Sequence, residues 1–111
     1  MRNYINVERI PDKVFLGYVR ENNARGVTID WTAWADKYGP GTMTVLLLRS
    51  GDAEPYEALT ATGTGPAVWK PTATDTAKEG GEMQLVYTVG AMIRKSPVMS
   101  VEFGESLPEE L

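Results

Sequence analysis

Residues 85–103 read LVYTVGAMIRKSPVMSVEF. Side chains alternate across an extended chain, so Leu85, Tyr87 and Val89 share one face while Val86 and Thr88 take the other. Extending back to Glu82 adds Met83 to the apolar face and Glu82 and Gln84 to the polar one. Gly90-Ala91 then suits a two-residue type II′ turn, which wants glycine at its first central position. The chain returns through Ile93, Met99, Val101 and Phe103. Pro97 interrupts this return, because it has no N–H for a ladder; the strand is expected to bulge there or to lie at a sheet edge.

The same period of two recurs outward from this hairpin. Lys13–Tyr18 (KVFLGY) reads as a first full strand, with Tyr4–Val7 (YINV) as a short strand feeding into it past Pro11. Glu21–Gly26 (ENNARG) is a turn cluster. Val27–Trp31 alternates again, and Thr42–Arg49 (TMTVLLLR) is the most apolar segment, expected at the centre and covered on both faces. Tyr56–Thr62 and Ala67–Lys70 are expected to pair as a hairpin across the intervening glycine-rich loop. Thr72–Gly81 reads as a loop with one helical turn, capped by Thr74 and wound over Thr76–Glu79.

One stretch carries helical spacing. In Asp30–Gly39 (DWTAWADKYG), Trp31, Trp34, Ala35 and Tyr38 fall at i, i+3, i+4 and i+7. Asp30 or Thr32 can cap this helix and Gly39-Pro40 stops it. So short a helix needs its aromatics buried against a sheet. The expectation is an all-β fold: an antiparallel β-sandwich of Ig-like or jelly-roll type, with about seven or eight strands and one short helical turn. The 111 residues form one domain over 1–103, followed by a short acidic tail over 104–111.

Composition removes whole classes of chemistry. There is no cysteine and no histidine, which excludes disulfides, thiolate sites and imidazole bases or ligands. Net charge is −4 and no Lys/Arg cluster stands out, so the footprint of a nucleic-acid binder is missing. Val45–Leu48 is the longest uncharged apolar run, far short of a membrane span. The opening MRNYINVERIPDK is too charged for a signal peptide, and the chain is expected in the cytoplasm or in something assembled there.

Carboxylates are the remaining catalytic currency. Asp52 with Glu54, Asp75 with Glu79, and Glu79 with Glu82 are possible acid/base pairs, but all lie in turns, where acidic residues are commonplace. Asp30 and Asp36 lack the spacing of a calcium loop. Thr62-Gly63-Thr64-Gly65-Pro66 lacks the third glycine and the following helix of a phosphate loop. Ser50, Ser96, Ser100 and Ser106 have no histidine to activate them, and Lys95 and Ser96 point to opposite faces of a strand. No catalytic, cofactor or metal site is assigned.

The aromatics have two readings. Trp31, Trp34 and Tyr38 pack the helical turn onto the sheet and Trp69 fills the core; alternatively, exposed rings stack on a sugar. Trp34, Tyr38 and Tyr56 are the candidate partner or ligand residues.

The order NVERIPDKVFLGYVRENNA, TIDWTAWADKYGPG, VLLLRSGDAEPY, VWKPTATDTAKEGGEMQLVYTVG and IRKSPVMSVEF resembles small proteins and N-terminal domains encoded among phage and prophage structural genes of Gram-positive gut bacteria. More distantly, it is similar to the Ig-like N-terminal domain of siphophage upper baseplate proteins. The run closest to that domain comprises Trp69, Pro71, Asp75, Thr76, Ala77, Gly80 and Val86, and the resemblance spans about residues 5–103. It implies a non-enzymatic virion component in the tail, baseplate or a head or tail fibre, with other virion proteins and copies of itself as partners. It supplies no catalytic residues and no cofactor. With GESLPEEL following, an anchoring, decorating or assembly role is expected rather than a fibre-carrying one. The alternative is a carbohydrate-binding module that contacts host cell-wall glycan through exposed aromatics.

Overall fold

The computed structural model describes residues 3–18, 20–22, 25–78 and 80–104. Glu79, part of the 21–26 turn and the tail beyond 104 lie outside the described residues. The described residues form nine strands and one helix, in the order β1 (Asn3–Asn6), β2 (Lys13–Tyr18), β3 (Val27–Asp30), α1 (Thr32–Tyr38), β4 (Gly41–Arg49), β5 (Tyr56–Gly63), β6 (Ala67–Trp69), β7 (Gly80–Val89), β8 (Met92–Lys95) and β9 (Met99–Gly104). They make an all-β sandwich. A small sheet has the order β1-β3-β6, and a larger one runs β2-β9-β7-β4-β5, with β8 paired to β7.

Both sheets are mixed, which corrects the antiparallel expectation. β1 runs parallel to β3, with Asn3 opposite Val27, and β2 runs parallel to β9, with Val14 opposite Val101. The YINV segment therefore does not feed a hairpin with KVFLGY. It adds to the other sheet, where Ile5 and Ile29 point inward together.

The core follows the period of two. From the large sheet, Met43, Val45 and Leu47 of β4 and Met83, Leu85 and Tyr87 of β7 are buried. From the small sheet come Ile5, Val27, Ile29 and Trp69. Each such aliphatic side chain contributes about 1.5–3 kcal/mol relative to exposure. On β4 the alternate residues Thr44, Leu46 and Leu48 are half-buried. The TMTVLLLR strand is central, as expected, but it is covered on one face only.

The opening hairpin is present, with a division. Val89 faces Met92 across Gly90-Ala91, and Gly90 takes φ 58°, as the first position of a II′ turn requires. The return strand splits at Ser96-Pro97-Val98. β8 pairs with Val86–Val89, and β9 takes the other half of the same edge, with Met99 opposite Met83. Ser96 bridges the gap. Its N–H donates to the Leu85 carbonyl at 2.9 Å, and its buried hydroxyl accepts the Leu85 N–H at 2.9 Å. That hydroxyl donates in turn to the Pro97 carbonyl at 2.8 Å. A side chain thus replaces the ladder bond that the break at Pro97 removes. The break is an interior bulge; β9 has neighbours on both sides.

The hairpin expected between 56–62 and 67–70 does not form. β5 pairs with β4, whereas β6 pairs with β3 in the opposite sheet. The loop between them crosses the edge of the sandwich over Trp31, whose Nε1–H donates to the Gly63 carbonyl at 3.2 Å. Gly65 lies against the same indole, where a Cβ would meet the ring at 2.7 Å. Its φ of 69° adds to the need for glycine.

α1 begins one residue from either expected cap, with Trp31 at the N-cap. Asp30 still contributes, because its carboxylate accepts the Thr32 backbone N–H at 3.0 Å and the Thr32 hydroxyl. Gly39 ends the helix with φ 95° and donates its N–H to the Ala35 carbonyl. The 72–81 loop winds two residues earlier than expected. Thr72 Oγ1 accepts the Asp75 N–H at 3.3 Å while Asp75 accepts the Thr72 N–H at 3.0 Å, a reciprocal capping box.

Two substitutions test this account. Ser96→Ala strands the Leu85 N–H inside the sheet and should cost about 1–3 kcal/mol in urea unfolding. Trp69, which is 2% exposed, should cost about 3–5 kcal/mol when changed to Ala; a loss near zero would contradict its place in the core.

Candidate functional site

The three candidate aromatics lie in different surroundings. Trp34 is 6% exposed; its ring packs on Tyr87 at 6.2 Å between centroids, and the Arg94 guanidinium stands 5.4 Å from it. A ring so covered offers no face to a sugar, so Trp34 is a core residue that anchors α1. Tyr38 is half-buried beside the Lys37 ammonium, which stands 5.3 Å from its ring. Tyr56 is half-buried at the other end of β4, opposite Leu47, whereas Tyr87 of the Trp34 pair is opposite Met43. Four strand residues separate the two places, about 13 Å. They form no shared platform.

Tyr56 belongs to a polar corner that the sequence reading did not pick out. Arg49, the last residue of β4, grips Asp52 with two parallel bonds: Nε to Oδ2 at 2.8 Å and Nη2 to Oδ1 at 3.1 Å. Its Nη1 donates to the Thr74 carbonyl at 2.8 Å, and its plane covers the Tyr56 ring at 4.9 Å. The Tyr56 hydroxyl donates to the buried Asp75 carboxylate at 2.5 Å. One guanidinium thus ties the 50–55 turn to the 72–77 loop. The available signal was Arg49 and Asp52 at i, i+3 around Ser50-Gly51, a turn that returns a carboxylate toward a strand end.

This arrangement engages Asp52 and Asp75. Hydrogen bonding from Arg49 holds Asp52 below the usual carboxylate range, so it stays charged. Asp75 accepts from Tyr56 and from the Thr72 N–H, and Glu54 is exposed. Asp30 is likewise held low, chiefly by the Thr32 hydroxyl and then by the Tyr4 hydroxyl. Glu21 is lowered by the Tyr18 backbone N–H and then by Arg25. A general acid needs the opposite, a raised pKa. The pairs involving Glu79 lie outside the described residues. Among the described residues no three carboxylates gather closely enough to hold a metal ion.

The outer surface is where apolar groups are on offer. Tyr4, Tyr18, Val68, Ile93 and Val98 are exposed. Tyr4, Thr28 and Val68 form one cross-strand row on the outside of the small sheet. On the outside of the large sheet, Leu46, Leu48, Pro55 and Val98 line a recess of about 110 Å³ beside Glu82 and Gln84.

Set against known proteins, the chain matches no family model, no curated protein and no solved structure.

The pKa directions set the pH profile. Glu21, Asp30 and Asp52 have lowered folded values, so their stabilisation is complete above the unfolded carboxylate range and is lost as pH falls through the folded values. Unfolding free energy should be level above about pH 5 and fall below about pH 4. Asp30→Asn should flatten part of that fall. Tyr56 is pushed up by burial and then by its bond to Asp75, and Tyr87 by burial. Their contribution is complete below about pH 10 and is lost as pH rises through the folded values. Tyr56→Phe should shrink the alkaline limb of the same urea series.

Proposed function

We infer that this chain is a non-enzymatic structural protein that works through protein–protein contacts on its outer surface. The setting that best suits it is a phage virion, where it anchors, decorates or helps assemble a tail, baseplate or fibre. Other virion proteins and further copies of itself are its partners, and the virion, assembled in the host cytoplasm, is its location. The observation that carries the reading is the division of the molecule. Its interior is a filled hydrophobic seam, several of its carboxylates serve as caps or ion-pair partners, and its exposed apolar side chains face outward from both sheets. Of these, Tyr4 and Val68 stand in one cross-strand row, a small apolar strip on which a partner protein could rest. Many copies on a symmetric particle would add weak contacts into firm attachment. The phage setting itself rests on the resemblance of Trp69, Pro71, Asp75, Thr76, Ala77, Gly80 and Val86 to the baseplate-type run.

The carbohydrate reading has less to stand on. Trp31, Trp34 and Trp69 are all buried, and the two half-buried tyrosines lie apart.

Two measurements test the proposal. Particles purified from an induced culture of a strain carrying the gene should contain peptides of this chain at a constant ratio to the other particle proteins; their absence overturns the virion setting. Titration with cell-wall glycan fragments should leave tryptophan fluorescence unchanged. A saturating change that Tyr38→Ala or Tyr56→Ala abolishes would restore the sugar-binding reading instead.

A further inference from the structure

A sheet edge presents unpaired backbone N–H and C=O groups, and proteins blunt such edges with short strands, lysine, arginine, proline or a covering segment. Most edges among the described strands carry such a device. β8 has four residues and ends on Arg94-Lys95. β6 has three, set between Pro66 and Lys70-Pro71, and β1 has four. The β2 edge is overlaid by Glu21 and Arg25: Glu21 accepts the Tyr18 N–H at 2.5 Å, and the Arg25 guanidinium lies 5.9 Å and 5.4 Å from the Phe15 and Tyr18 rings.

β5 differs. It runs eight residues, YEALTATG, at the end of the large sheet, with β4 on one side. It contains no lysine, arginine or proline; its one charge, Glu57, and a bulge at Ala58 lie in its first half, and Leu59–Gly63 carries neither. Among the described residues its backbone bonds go to β4, apart from the Gly63 carbonyl, which takes the Trp31 indole. Thr60 and Thr62 are exposed on the outer face, opposite Thr44 and Thr42, while Leu59 and Ala61 are half-buried opposite Val45 and Met43.

We propose that the free edge of β5 pairs with β5 of a second copy of this chain, antiparallel across a twofold axis at Thr60, so that the two large sheets continue as one. This rests on the protein-contact reading above and names the partner. Residues directly opposite in an antiparallel pair share a face, and Leu59, Thr60 and Ala61 meet that condition against themselves; the bulge at Ala58 ends the alternation beyond them. Thr60 faces Thr60 of the second copy on the outer side. Leu59 meets Ala61 on the inner side, extending the apolar strip at the edge of each core. The matched segment Leu59–Ala61 carries no charge, so no like charges face each other across the axis. A twofold axis makes both copies satisfy these matches with a single strand.

The chain has no cysteine, so one introduced thiol reports on one contact. In sedimentation and light scattering across a wide concentration range, the full chain should pass from one copy to two. Thr60→Lys sets like charges across the axis and should weaken dimerisation at least about tenfold, with the circular dichroism and unfolding midpoint unchanged. Under mild oxidation Thr60→Cys should cross-link, whereas Ile93→Cys, on exposed β8, should not. Self-association that survives Thr60→Lys, or cross-linking through Ile93→Cys alone, overturns the β5 assignment and leaves the protein-contact reading standing. A monomer at every concentration also overturns the assignment, and a monomer absent from particles overturns both.

Discussion

One edge of β7 has to serve two partners, and the rest of the molecule is arranged around that constraint. The strand is ten residues long, and no single neighbour spans it on the side away from β4. Ser96 joins the two that share it, giving Leu85 both an acceptor and a donor where the ladder would otherwise lapse. Because the chain steps out at Pro97 and re-enters as β9, Met99, Val101 and Phe103 regain the inward face. β9 is then free on its far side to take β2, which closes the larger sheet. A buried hydroxyl can do this because an unpaired backbone N–H inside a sheet costs more than the small entropy of fixing a serine.

The second organising contact is Trp31. It stands at the junction of β3 and α1, where its backbone starts the helix and its indole receives the chain that leaves β5. With Gly65 pressed against the ring, residues 63–66 cross from the large sheet to the small one. This crossing makes β6 a partner of β3. The sandwich is therefore held at both ends by polar groups acting on otherwise apolar elements: Ser96 within the large sheet, and the indole N–H between the sheets. Arg49 plays a similar part at the far end of β4, where it draws two loops together.

These contacts bear on how the polar side chains are used. Polar groups that in an enzyme would converge on a substrate are here turned on the chain itself, as caps, ion pairs and loop ties. The outside of the two sheets and the edge of β5 carry the exposed apolar side chains and the strand backbone from which protein contacts are proposed. Such a body suits assembly, where rigidity and repeated contacts matter more than a chemical step.

Alternation of apolar and polar residues is a local signal, and it was enough to determine an all-β sandwich, most strand positions, the II′ turn at Gly90-Ala91 and the inward sets on β7 and β9, though not that β4 is covered on one face only. Helical spacing likewise located α1, and the absence of cysteine and histidine narrowed the chemistry. Partner choice belongs to the tertiary structure. Each strand has two edges and can run in either sense beside a neighbour, and nothing in the alternation of YINV or AVW says which sheet will take it. Burial of Trp34, the Arg49 corner and the exposure of the β5 edge were also decided only there. They depend on which distant segments meet, and that is set by how two sheets and one helix fill a common volume.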